Sequence, residues 1–152
     1  MNTVKLTICP ECQTQWANGV TCQDHFYQML YWEAEYPDYG VVHHLMVLSY
    51  HMQHPSLYSP ETLAGGNQML ADFLLNGVTP AQMREKISAK VDSGKRTHKI
   101  TGTRDSHGSY THPVTWMMTA ADVVAAGNDA YCDSVRAWAR SIYDALQASD
   151  NL

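Results

Sequence analysis

Cys9-Pro10-Glu11-Cys12 sets two thiols two residues apart, and Cys22 follows ten residues later. Thiolates suit borderline-soft ions, and a Cys-x-x-Cys spacing lets one tight turn aim both sulfurs at one metal. The second concentration of chemistry is VVHHLMVLSYHMQHP, Val41 to Pro55, which holds four of the eight histidines in an otherwise apolar run. Read as a helix, this run aligns His43, Val47, Tyr50 and His54, because their spacing returns to nearly one angle at 3.6 residues per turn. Leu45, Leu48 and Met52 form the adjoining stripe. Imidazoles on a buried face need partners for their ring nitrogens. The cysteines make a metal the leading partner.

Thr21-Cys22-Gln23-Asp24 reads as a capping box with Asp in place of the usual Glu, so a helix starts near Cys22, where the dipole favours a thiolate. It should run to about Tyr36, and Pro37-Asp38-Tyr39-Gly40 is a turn signal. If the helices on either side pack antiparallel, residues equidistant from Asp38 meet. Cys22 then lies opposite His54, His25 near His51, and Glu33 near His43. The predicted ligand set is Cys9, Cys12, Cys22 and His54, with His51 and His25 as substitutes for the fourth. Three thiolates and an imidazole predict zinc in a closed structural site whose binding energy adds to folding. Without a metal, Cys22 is a small helix-start residue and His54 a favourable cation near a helix C-terminus.

His43 lies eleven residues before His54, about 16 Å away along a helix, and cannot share its ion. A buried carboxylate beside an imidazole can act as a general acid–base pair, supply two ligands to a second metal, or simply satisfy the core. Glu33 and His43 are therefore the candidate catalytic residues, with His44 and Glu35 placed to extend the cluster.

The elements that must position these groups are helical. Ser59-Pro60-Glu61 predicts a helix start, and Asn76-Gly77 its end, although Gly65-Gly66 weakens the interior. Thr79-Pro80 starts another helix ending at Ser93-Gly94. Thr119 caps a short one through Ala125. Asn128 caps the last, where Tyr131, Val135, Trp138, Ile142 and Ala145 form an apolar stripe. Between Lys95 and Met118 the chain is polar and irregular, with Trp116 and Met117-Met118 anchoring its far end. The expectation is an all-α single domain over residues 1–152: a metal-binding arm at 1–20, then a bundle of about five helices with a long polar loop near 95–118.

The 152 residues, 45% hydrophobic with only 16% charged, suffice for a real core. A net charge of -5 argues against a general nucleic-acid binder. No apolar run reaches membrane-spanning length and the N-terminus lacks a signal-peptide core, so a cytoplasmic protein is expected, in which cysteines serve as ligands or free thiols. Lys95, Arg96, Lys99 and Arg104, together with His98, His107 and His112, concentrate in the irregular segment. The strip at 95–104 could receive an anionic ligand; a solvated loop is the stronger explanation, given its Gly, Ser and Thr content. Arg136 and Arg140 with Asp133 and Asp144 read as an ion-paired face, and Cys132 as a lone thiol. The chain has no Gly-rich phosphate loop, Gly-x-Ser-x-Gly elbow or His-Glu-x-x-His motif.

Taken together, Cys9-Pro10-Glu11-Cys12, Cys22, Pro37-Asp38-Tyr39-Gly40, His43 and Tyr50-His51-Met52-Gln53-His54-Pro55 resemble an uncharacterised bacterial domain family. Thr119 to Val123 and Val135 to Ala139 extend the likeness over most of the chain. The resemblance implies a metal site favouring Cys9, Cys12, Cys22, His43 and His54, and no activity. Relatives carry Arg at the place of His44, which argues against an essential role there. Two functions remain: a helical binding or regulatory module with a structural zinc, or a metal-dependent enzyme, such as a hydrolase, working around Glu33 and His43 beneath the 95–118 loop.

Overall fold

The computed structural model describes residues 6–16, 18–85 and 100–152. The arm is a small antiparallel ribbon, in which β1 (Thr7–Ile8) pairs with β2 (Gln15–Trp16). Sequence reading gave this arm no regular structure, since strands of two residues leave no alternation to detect. Among the described residues six α-helices follow, as the apolar periodicity led one to expect of a mainly helical chain: α1 (Cys22–Glu35), α2 (His43–Gln53), α3 (Pro60–Leu75), α4 with 80–85 described, α5 (Ala120–Ala125) and α6 (Tyr131–Ala148). The expected end of α4, and Lys95, Arg96, His98 and Lys99 of the basic strip, lie outside the described residues. No helix among those described is long and apolar enough to cross a membrane.

Capping fixes the helix starts. Asp24 N–H donates to Thr21 Oγ1 (3.3 Å) while Thr21 N–H donates to the Asp24 carboxylate (2.8 Å), the reciprocal box that satisfies two orphan donors. Ser59 caps α3 through Thr62 N–H, and Thr119 and Asp122 form a second capping box on α5. Asn128 does not cap α6; it opens a 3₁₀ turn, Asn128–Ala130, that feeds the helix, so the apolar stripe starts one turn after the polar signal.

α2 is the centre of the bundle. Seven of its eleven residues are buried, more than one stripe provides, because α3 and α6 pack on its flanks. Gly66 is where α3 comes close: a Cβ there would meet Met52 Sδ at 2.7 Å and push that side chain aside, so the glycine that weakened the sequence signal eases the packing of α3 on α2. Gly65 faces open space. Gln53, wholly buried, donates to Met118 O (2.6 Å) and accepts from Trp138 Nε1 (3.1 Å), joining α2, α6 and the long loop.

The antiparallel rule holds for α1 and α2, which meet through large side chains: Phe26 stacks on Tyr50 with ring centroids 4.6 Å apart. His51 Nδ1–H donates to Val47 O at 2.8 Å, and its ring stacks on Tyr58. The described part of the long loop is irregular, yet it is held along its length. Ser59 N–H donates to Ile100 O, Gly102 N–H to Leu57 O and Gly108 N–H to Tyr58 O, at 2.9, 3.0 and 2.8 Å. A Cβ on Gly102 would fall 2.3 Å from Ser56 O, so only glycine permits this approach. Trp116 does anchor the far end, but Met117 is 77% exposed and only Met118 joins the core.

Candidate metal centre

The ribbon creates the first half of the site. Cys9 N–H donates to Thr14 O and Gln13 N–H to Cys9 O, both 2.9 Å, closing a tight turn with Gln13 at φ 63°. That turn points Cys9 and Cys12 to the same side, as the spacing requires. α1 supplies Cys22 from its first turn, and His54 follows immediately after α2. The four ligand atoms of Cys9, Cys12, Cys22 and His54 lie within 4.8 Å of one another, and all four residues are buried. Around a tetrahedral zinc with 2.3 Å Zn–S bonds, sulfurs sit about 3.8 Å apart; Cys12 and Cys22 Sγ are 3.5 Å apart. The substitutes His25 and His51 are outside this group.

His54 gives the sharpest test of fit. It is 5% exposed, and its Nδ1 donates to Tyr50 O at 2.7 Å, which fixes the tautomer and leaves the lone pair on Nε2. Nε2 is buried without a hydrogen-bond partner. An imidazole tethered to a carbonyl through one nitrogen, with the other bare and facing sulfur, is how metal-ligating histidines are oriented. The donor chemistry and the orphan nitrogen both fit zinc.

The thiols share charge unequally. Hydrogen bonding from Cys22 holds Cys12 down to about 3, with help from the His54 imidazole and Thr14 against the opposing cost of burial. Cys22, as the donor in that contact and buried besides, is pushed far above the ordinary thiol range, and burial raises Cys9. The 3.5 Å contact between Cys12 and Cys22 Sγ couples the two thiols, so that ionising one holds the proton on the other. At His54 burial disfavours the cation, but the Cys12 thiolate and the Tyr50 carbonyl prevail and the pKa is raised. A divalent ion would remove the competition, since its charge favours three thiolates at once.

The turn is also docked. Glu11, between the two cysteines, accepts Ser56 N–H on its carboxylate (3.0 Å) and Trp116 Nε1–H on its backbone oxygen (3.1 Å). Sequence reading did not find these contacts, because neither Ser56 nor Trp116 carries a pattern that points to residue 11.

The second predicted cluster forms as well. His43 Nδ1 meets Glu33 Oε1 at 2.5 Å, with the Glu33 side chain 8% and the His43 side chain 42% exposed. The other carboxylate oxygen accepts the hydroxyl of Tyr131, a partner missed because it comes from α6. Burial and the Glu33 carboxylate push the Tyr131 hydroxyl far above its ordinary range. The His44 ring sits edge-on to His43 with centroids 5.5 Å apart, and Glu35 is exposed. The described part of the loop does not cover this cluster; it lies on residues 55–59 at the other end of α2. Cys132 is a free, half-buried thiol away from the other three, and Arg136–Asp133 (3.6 Å) and Arg140–Asp144 (3.3 Å) form the exposed ion pairs anticipated for α6.

A family model described as a family of unknown function matches residues 7–147. Comparison with curated proteins finds no match, and comparison with solved structures finds none either.

Proposed function

This chain belongs to DUF5946, a family of unknown function, and we propose that it is a small cytoplasmic helical protein in which a structural zinc organises a binding or regulatory module. The observation that carries the reading is the buried Cys9, Cys12, Cys22 and His54 set, with Nε2 of His54 bare and its ring already oriented. Four protein donors leave no open coordination position for a substrate, which is the character of a structural site. The ion ties the arm to the ends of both α1 and α2, so its binding energy becomes folding energy. Unpaired cysteines in such a cluster accord with a reducing compartment. Metal analysis of protein purified without added metal tests this. One zinc per chain that survives brief chelation is the expected result; no metal, or metal lost at once, overturns it.

A second reading, an enzyme, is favoured by the Glu33 carboxylate held between His43 and Tyr131. Glu33 orients the imidazole and leaves Nε2 on a partly exposed side chain, the posture of a general base. With both carboxylate oxygens engaged, Glu33 is poorly placed to ligate a second metal, so this chemistry would be acid–base. Turnover of an ester or phosphoester substrate that is abolished by His43→Ala and reduced by Glu33→Gln, at unchanged zinc content, would support it. Turnover indifferent to both would eliminate it.

A further inference from the structure

Beside the metal cluster the long loop and the Cys9–Cys12 turn enclose a cleft of about 320 Å³. Its apolar walls include Pro10, Pro55 and Val114, and its two aromatic residues are Tyr110 and Trp116. Their rings are T-shaped, centroids 5.9 Å apart at 65°. Both rings have spent their polar tips elsewhere: the Tyr110 hydroxyl donates to Met52 O and Trp116 Nε1–H to Glu11 O. What remains for a ligand is π surface, already fixed in orientation. Among the described residues lining the cleft, Glu11 is the only one of the Asp, Glu, Lys and Arg types. His107 and His112 also line it.

We propose that this cleft binds an organic cation, an alkylammonium head group held against the Tyr110 and Trp116 rings and neutralised by the Glu11 carboxylate. Two differently inclined rings line one cleft with Glu11, and a cation placed against the open face of either ring is attracted by its quadrupole. A neutral apolar group of the same shape would gain the burial but neither the cation–π nor the carboxylate attraction. An anion would meet the Glu11 carboxylate with no Lys or Arg among the described lining residues to compensate it. The proposal rests on the reading of the protein as a metal-organised binding module, because Glu11 stands between two of the four ligands and the ion would hold it in place.

Choline chloride is the probe, and 3,3-dimethylbutan-1-ol, its uncharged carbon isostere, the control; binding is followed through the indole N–H signal of Trp116 by NMR, with the zinc content of each sample measured. Choline should shift that signal saturably, the isostere should bind at least about tenfold more weakly, and Glu11→Gln should cost choline a similar factor. Comparing the two probes on the unaltered chain keeps the test valid should Glu11→Gln fail to fold. Equal binding of the isostere, preference for acetate, or no shift at all overturns the cation site. If zinc is present and choline does not bind, the cleft assignment fails and the metal module stands. If choline binds to a chain that never holds zinc, the module reading fails and the cleft stands.

Discussion

His54→Ala separates a ligand from a merely buried histidine. The side chain is 5% exposed, bonds Tyr50 O at 2.7 Å and lies against the Tyr50 ring with centroids 4.3 Å apart. Loss of the hydrogen bond costs about 1 kcal/mol, the ring contact about 0.5–1, and the lost burial with its cavity about 1–2. Metal-free protein should therefore lose about 3 kcal/mol, already a large share of the roughly 5–15 kcal/mol that hold a domain together. Zinc enlarges the loss. A structural zinc contributes on the order of 10 kcal/mol through four ligands, so deleting one should raise the total penalty to about 5 kcal/mol or more in zinc. Urea unfolding followed by circular dichroism, with saturating zinc and with chelator, measures both values. His54→Cys is the companion: it keeps a fourth donor while losing the ring, and should recover zinc-dependent stability but not the metal-free loss. Equal penalties with and without zinc, or an unaltered chain that gains nothing from zinc, would refute the assignment.

Two further outcomes are expected. Gly65→Ala should stabilise by about 0.5–1 kcal/mol, since it removes helix entropy cost into open space; Gly66→Ala should lose that gain or reverse it, because Met52 Sδ must move, and thermal melts of the pair would show the split. Burial pushes Tyr58 up to about 12, above its unfolded value, so the folded chain holds that proton more tightly. Its contribution is complete below about pH 10 and is lost as pH rises from 10 toward 12. Tyr58→Phe should flatten the fall in stability across that window, read from urea midpoints; an unchanged slope would reject the cause.

Much of the site was legible because it is local or symmetric about one turn. Cys9 and Cys12 announce themselves by spacing, Cys22 by its capping box, and His54 and His43 by equal distance from Asp38. The chain supplied no comparable signal for Tyr131 against Glu33 or Trp116 against Glu11, which join residues 98 and 105 positions apart. Such contacts depend on how whole helices and loops are placed, and periodicity carries no information about that. Gly66, Gly102 and Gly108 misled in the other direction. Read singly they mark weakness or a free loop, whereas each permits a close approach whose partner is distant in sequence.

Gln53 immediately precedes His54, and its amide spans from Trp138 to the Met118 carbonyl. The residue that turns its imidazole toward the thiols and the residue that joins α2 to α6 and the long loop are thus neighbours in the chain. An ion held at His54 would sit one peptide unit from the amide that ties α6 to the long loop.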